Sequence, residues 1–209
     1  MNFIFIILTF LISAVIARIL IPRILLISLR KKLFDIPDDR KIHKRAIPRL
    51  GGVSFFPTTL FAFCLVYAFR LLDGDSISTL YASYLLPELL LFACGMTLLY
   101  LTGIADDLVG VRYRQKFAIQ IFCACLFPLS GLWINDLYGL FGIHELSAYV
   151  GIPFTVLTVV FITNAINLID GIDGLASGLS SVALLVFTFL FISKGVWSYA
   201  MLSAGTFGV

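Results

Sequence analysis

The chain has 209 residues, 60% of them hydrophobic and only 13% charged, with a formal net charge of +3. A soluble domain is about one-quarter charged, so this composition excludes an ordinary soluble enzyme and points to an integral membrane protein. Cys64, Cys94, Cys123 and Cys125 lie inside apolar runs and read as small buried hydrophobes, and His43 and His144 have neither a cysteine nor a second histidine beside them; this excludes a disulfide framework and a zinc site.

A helix that crosses a bilayer needs about 20 apolar residues. The first such run is Phe3–Pro22, continuing as a polar helical end to about Lys32. It has no basic leader and no clear small-residue cleavage site, and reads as a retained helix and not a signal peptide. Further spans are expected over Val53–Phe69, Leu85–Ile104, Phe117–Ile134, Tyr149–Ile169 and Leu175–Ile192, and a seventh begins near Trp197. An outer-membrane barrel would show alternating segments of about ten residues, which these runs are not. No internal repeat is visible. The expected fold class is all-α, a single polytopic membrane domain over residues 1–209 with six spans and the start of a seventh.

Charge is unevenly shared among the connecting loops. Arg30–Arg49 holds eight basic residues and Ala105–Lys116 holds Arg112, Arg114 and Lys116, together eleven of the chain's 15. The positive-inside rule puts both loops in the cytoplasm and the N-terminus outside. Counting helices then puts the segment Asn167–Gly174 on the cytoplasmic side too, so three loops distant in sequence are expected to meet at one membrane face. Asp136, His144 and Glu145 fall on the other face. Arg18 and Arg23 are expected to snorkel toward head groups, and Glu88 reads as an interfacial acid.

Three polar constellations stand out against this apolar background. In Thr163–Ala176 the residues Asn164, Asn167, Asp170 and Asp173 recur every three positions, sharing a face wherever the backbone is helical. Oxygen donors beside Gly171 and Gly174 suit a hard cation such as Mg²⁺ and the phosphates it carries. Asp106 and Asp107 are adjacent carboxylates at a span's end; they are either a metal or general-base pair or a solvated polar loop. Arg112, Arg114 and Lys116 follow them, placed either to hold phosphates or to anchor the loop on anionic lipid. In the first basic loop, His43 and Lys44 stand within Asp35–Gly52; a lone histidine there is more often a structural residue than a ligand, and its basic neighbours favour the neutral form.

Taken in order, these motifs carry a resemblance. They are Asp35-x-Pro37-x-x-Arg40-Lys41-x-His43-x(4)-Pro48-x-x-Gly51-Gly52, then Gly103-x-x-Asp106-Asp107 followed by Arg114-x-Lys116-x-x-x-Gln120. The third is Asn164-Ala165-x-Asn167-Leu168-x-Asp170-Gly171-x-Asp173-Gly174-Leu175-Ala176. The chain resembles the polyprenyl-phosphate N-acetylhexosamine-1-phosphate transferases, glycosyl transferase family 4, and its WecA/TagO branch more than its MraY branch. The resemblance implies a bacterial cytoplasmic-membrane enzyme that moves a sugar-1-phosphate from a UDP-amino sugar to undecaprenyl phosphate and releases UMP, with UDP-GlcNAc as the default donor. This would be the first membrane step of a cell-envelope polysaccharide. It implies Mg²⁺, with Mn²⁺ as a substitute, and a pairing of subunits, with membrane lipids and not nucleic acid around the basic loops. By resemblance, Asp106, Asp107 and Asp173 are catalytic and Asn167 and Asp170 bind metal. Lys44, His43, Arg114, Lys116 and Asn164 contact substrate.

Members of the family continue to a Gly-Asp-x-Gly segment and a histidine motif. Neither occurs here, and no acidic residue or histidine follows Asp173. The expectation is that these residues are the N-terminal part of a longer enzyme and do not catalyse the reaction alone, leaving a truncated, inactive membrane protein as the alternative. An ion-coupled transporter is the other class. Its acids would lie near the bilayer midplane, whereas these lie at helix ends. A CDP-alcohol phosphotransferase needs an Asp-Gly-x-x-Ala-Arg pattern, and Gly174-Leu175-Ala176-Ser177 lacks the arginine.

Overall fold

The computed structural model describes residues 2–35, 47–48, 50–73, 76–170, 172 and 174–209. Among them seven α-helices follow one another: α1 (Asn2–Arg30), α2 (Phe55–Leu72), α3 (Ser76–Val109), α4 (Tyr113–Leu129), α5 (Ala148–Ile169), α6 (Leu175–Ser193) and α7 (Trp197–Phe207). The chain is an all-α membrane protein. Among the described residues, five helical segments are long and apolar enough to cross a bilayer: Asn2–Arg30, Gly51–Leu72, Leu85–Val109, Ala148–Ile169 and Leu175–Ser193. A two-residue antiparallel pair, β1 (Phe34–Asp35) with β2 (Ile47–Pro48), follows α1.

The fourth expected span, Phe117–Ile134, needs correction. Helix α4 starts four residues earlier, at Tyr113, and stops at Leu129 after 17 residues. Its end is a left-handed cap: Gly131 has φ +92°. The Gly131 amide donates to the Pro128 carbonyl at 3.0 Å and the Leu132 amide to Phe127 at 3.0 Å. That pattern satisfies the last carbonyls and turns the chain out of the helix. Hydropathy alone does not see the break, because Leu132, Trp133 and Ile134 beyond it are as apolar as the helix. The cysteines also differ from expectation. All four are free, but among them only Cys123 is buried; the others lie on exposed faces, where lipid, not protein, is the apolar surrounding.

Two compact units make up the chain, Met1–Ser78 with Ile169–Val209, and Thr79–Leu168. In the first, α7 packs on α1, α2 and α6. Small residues set the approach of α1 and α7. Thr9, Ser13 and Ala17, one turn apart on α1, are all buried, as are Ala200, Met201, Ala204 and Gly205 on α7. A Cβ built on Gly205 would come within 2.8 Å of the Thr9 methyl. Between helices in lipid there is no hydrophobic driving force, so such close van der Waals contact is what holds them. The Thr9 and Ser13 hydroxyls donate to the Phe5 and Phe10 carbonyls of their own helix at 2.7 and 2.9 Å. The rings of Phe3 and Trp197 meet edge to face at 5.4 Å, and those of Phe10 and Phe207 stack at 5.7 Å. At the start of α2, Ser54, Thr58 and Thr59 bury their hydroxyls without a hydrogen-bond partner among the described residues.

In the second unit α3 and α4 form a helical hairpin. Phe92 and Phe127 meet edge to face at 6.2 Å, and the Cys123 thiol donates to the Gly95 carbonyl at 3.5 Å. After α4 the chain crosses the first turns of α5: the Thr155 hydroxyl accepts the Ile134 amide at 2.8 Å and donates to the Gly151 carbonyl at 2.7 Å. The connection between α4 and α5 closes on itself, with Leu146 donating to Asn135 at 2.8 Å and Leu137 to His144 at 2.9 Å.

Candidate functional site

The tight turn between α3 and α4 is built around Asp106. Its carbonyl accepts the amide of Gly110 at 3.0 Å, which sits at φ +73° and so ends α3 in a left-handed cap. One carboxylate oxygen, Oδ1, accepts the Val111 amide at 2.9 Å, and the other, Oδ2, accepts from Lys116 Nζ at 2.9 Å. Both side chains of this ion pair are about one-third exposed, enough shielding for the attraction to exceed that of a fully hydrated pair. Asp107, next in the chain, is exposed. The sequence treats the two acids alike, and the structure separates them: Asp106 organises the turn and fixes Lys116, while Asp107 lies at the surface beside it.

Arg114 lies in the first turn of α4, exposed, with Nε donating to the Tyr113 hydroxyl at 3.1 Å and its guanidinium 5.8 Å from that ring's centre. One helical turn beyond Lys116 is Gln120, only 5% exposed. Its Oε1 accepts from Asn164 Nδ2 at 2.8 Å, and the same Asn164 nitrogen donates to the Val160 carbonyl at 2.8 Å. The first two turns of α4 therefore tie together the C-terminal ends of α3 and α5, through Lys116 to one and Gln120 to the other. An open, apolar groove lies alongside, with Leu101, Thr102 and Ala105 of α3 facing Val111, Gln115 and Ile119.

Asn164, assigned by resemblance to substrate contact, uses its amide nitrogen in the α4–α5 bridge. Asn167, one turn further along α5, is exposed, and so is Asp170, just past the end of the helix. The three-residue spacing holds as a helical face only to Ile169, where α5 stops. His43, Lys44 and Asp173 lie outside the described residues. No cluster of three or more His, Cys, Asp or Glu side chains suited to a metal is found among the described residues.

Residues 89–209 match the sequence profile of glycosyl transferase family 4. The chain belongs to glycosyl transferase family 4. The match takes in every described candidate residue from Asp106 to Asp170. A protein of Bacillus subtilis (strain 168) named "Probable undecaprenyl-phosphate N-acetylglucosaminyl 1-phosphate transferase" is 30% identical over 91% of this chain and 49% of its own length. A phospho-N-acetylmuramoyl-pentapeptide-transferase of Staphylococcus carnosus is 29% identical over 93% of this chain and 61% of its own. An undecaprenyl-phosphate alpha-N-acetylglucosaminyl 1-phosphate transferase of Thermotoga maritima is 30% identical over 80% and 47%. The chain thus spans about half the length of the curated relatives it matches.

Within this family 4 chain, Gln120 stands in the second motif but has no role assigned to it there. A signal for it existed: it is a lone amide in the apolar run Phe117–Leu129, and a buried polar side chain there must find a partner. What the sequence could not supply was the partner's identity, 44 residues away on α5.

Proposed function

We propose that the protein carrying this chain transfers a sugar-1-phosphate, GlcNAc-1-phosphate by default, from a UDP-amino sugar to undecaprenyl phosphate at the cytoplasmic face of a bacterial membrane. The observation that carries the proposal is the Asp106-anchored turn, with Lys116 and Arg114 beside an exposed Asp107, in a chain that belongs to glycosyl transferase family 4. An oxygen of the lipid phosphate attacks the β-phosphorus of the UDP-sugar. The bond from that phosphorus to the oxygen bridging to the α-phosphate breaks, and UMP leaves with that oxygen.

The reaction brings two anions together, so cationic groups must offset their repulsion. Lys116 and Arg114 are assigned to that task, with Lys116 held in place by Asp106 and not left to sample solvent. Asp107 is assigned to accept the proton of the lipid phosphate or to orient it. The apolar groove beside the turn supports a substrate with a hydrocarbon tail. Asn167 and Asp170 offer hard oxygen donors, exposed and therefore reachable. Mg²⁺ is commonly held by one or two carboxylates together with substrate phosphates, and Asp170 is assigned by resemblance as such a carboxylate, with Asn167 near it in the chain. Bound there, the ion would neutralise charge on the phosphates. The basic loop containing His43 and Lys44 is assigned by family resemblance to substrate contact, and Asp173 to catalysis.

The test is UMP release from UDP-GlcNAc and undecaprenyl phosphate by membranes expressing the open reading frame that carries this chain. Release should require both substrates, vanish with EDTA and return with Mg²⁺. Folded protein that releases no UMP with this donor or with other UDP-amino sugars would overturn the proposal; release that persists in EDTA would overturn the metal assignment alone.

A further inference from the structure

The connection between α4 and α5 ends in an exposed apolar tip. Tyr138 and Phe141 are 88% and 89% exposed, and Leu140 and Ile143 beside them 58% and 43%. Tyr138 and Phe141 also have left-handed backbones, φ +52° and +56°, a region that side chains bearing a Cβ occupy at a cost. The turn is nevertheless closed by hydrogen bonds from Gly139 to Ile143 and from Gly142 to Gly139, both 3.0 Å. Its two acids, Asp136 and Glu145, face each other across a bridge at the base of the hairpin. No lysine or arginine occurs between Asn135 and Ser147. The loop is therefore built with charge at its base and rings at its tip, and the chain accepts strain to hold the rings outward.

The position of the hairpin says what meets these rings. It lies at the end of the α4–α5 pair opposite the Gln120–Asn164 bridge, and α5, at 22 residues, is about 33 Å long, close to the roughly 30 Å of a bilayer core. Tyr149, in the first turn of that span, is 93% exposed, where the membrane boundary falls. Tyrosine and other amphipathic aromatics collect at this boundary because one end is apolar and the other wet. An apolar patch facing water there would be unfavourable.

We infer that the hairpin Asn135–Leu146 is an interfacial anchor, with Tyr138, Leu140 and Phe141 seated in the head-group and upper acyl region of the membrane that α5 crosses. The anchor fixes the depth of the α4–α5 end and requires no particular lipid head group. It is independent of the proposed activity.

The experiment places a tryptophan at the tip, Phe141→Trp, in protein reconstituted into phosphatidylcholine vesicles. The emission it adds over the parent protein, which retains Trp133 and Trp197, is read. The expected result is blue-shifted added emission that bromines on the upper acyl carbons largely quench and aqueous iodide does not, at a depth matching that of Tyr149→Trp. Red-shifted emission quenched by iodide would place the tip in water and overturn the inference. Blue-shifted emission that ignores bromolipid and grows with the protein-to-lipid ratio would assign the tip to a second copy and overturn it equally. If Phe141→Trp does not fold, Tyr138→Trp gives the same reading from the other side of the tip.

Discussion

Lys116 Nζ lies 2.9 Å from one oxygen of the Asp106 carboxylate while the other oxygen holds the Val111 amide at 2.9 Å. A carboxylate engaged on both oxygens is a brace. The proposed reaction assigns the exposed neighbour, Asp107, to the proton of the lipid phosphate. Asp107→Asn is expected to lower UMP release by about 100-fold or more, the range of a lost general base. Asp106→Ala should destabilise the protein by about 1–3 kcal/mol, because the Val111 amide and the Lys116 ammonium both lose their acceptor. Melting curves and initial rates on the two variants separate the roles. Unchanged UMP release by Asp107→Asn would refute its assignment.

Gln120 and Asn164 form a side-chain bond across α4 and α5 with Gln120 almost wholly buried. Asn164→Leu strands the buried Gln120 amide and should cost about 1–3 kcal/mol, whereas Gln120→Leu leaves the half-buried Asn164 its bond to Val160 and should cost less. The double variant strands neither and should cost less than the sum, with a coupling of about 1 kcal/mol in the cycle. If the end of α5 serves the reaction through this bridge, the double variant recovers stability without recovering the rate.

Gly151 has no room for a methyl group. A Cβ there would stand 2.5 Å from both the Ile134 carbonyl oxygen and the Trp133 ring. Gly151→Ala is expected to destabilise by about 1–3 kcal/mol through overpacking. Adding Trp133→Leu should restore only part of it, since the Ile134 carbonyl is main chain and stays. Full rescue would show that the ring alone sets the contact.

Thr58 is 1% exposed and its hydroxyl has no hydrogen-bond partner among the described residues. Thr58→Val keeps the shape and removes the stranded group, so the melting temperature should rise, by about 1 kcal/mol in stability. A fall would show that the hydroxyl is satisfied in the membrane, by water or by a residue outside those described.

By itself the sequence determined the class of molecule, the approximate helices and the candidate residues. Apolar runs of about 20 residues have few alternatives to a helix in lipid, because the bilayer offers the backbone no other hydrogen-bond partners. The seventh helix was expected near Trp197 and begins there. Asp106, Asp107, Lys116, Asn164, Asn167 and Asp170 were legible because polar side chains are rare in such a chain.

Only the tertiary structure decided which partners these residues hold. Asp106 and Asp107 are identical in chemistry and adjacent in sequence, and one became a brace because the left-handed turn at Gly110 brings Val111 and Lys116 back onto it. Asn164 became a bridge because α5 passes Gln120. The end of α4 was likewise invisible to hydropathy, since a helix in lipid stops where its backbone is capped and not where its side chains cease to be apolar. Contacts between residues distant in the chain depend on how the helices lie together, and hydrophobic runs in a membrane carry little of that information, because lipid and protein interior are nearly equivalent surroundings for them.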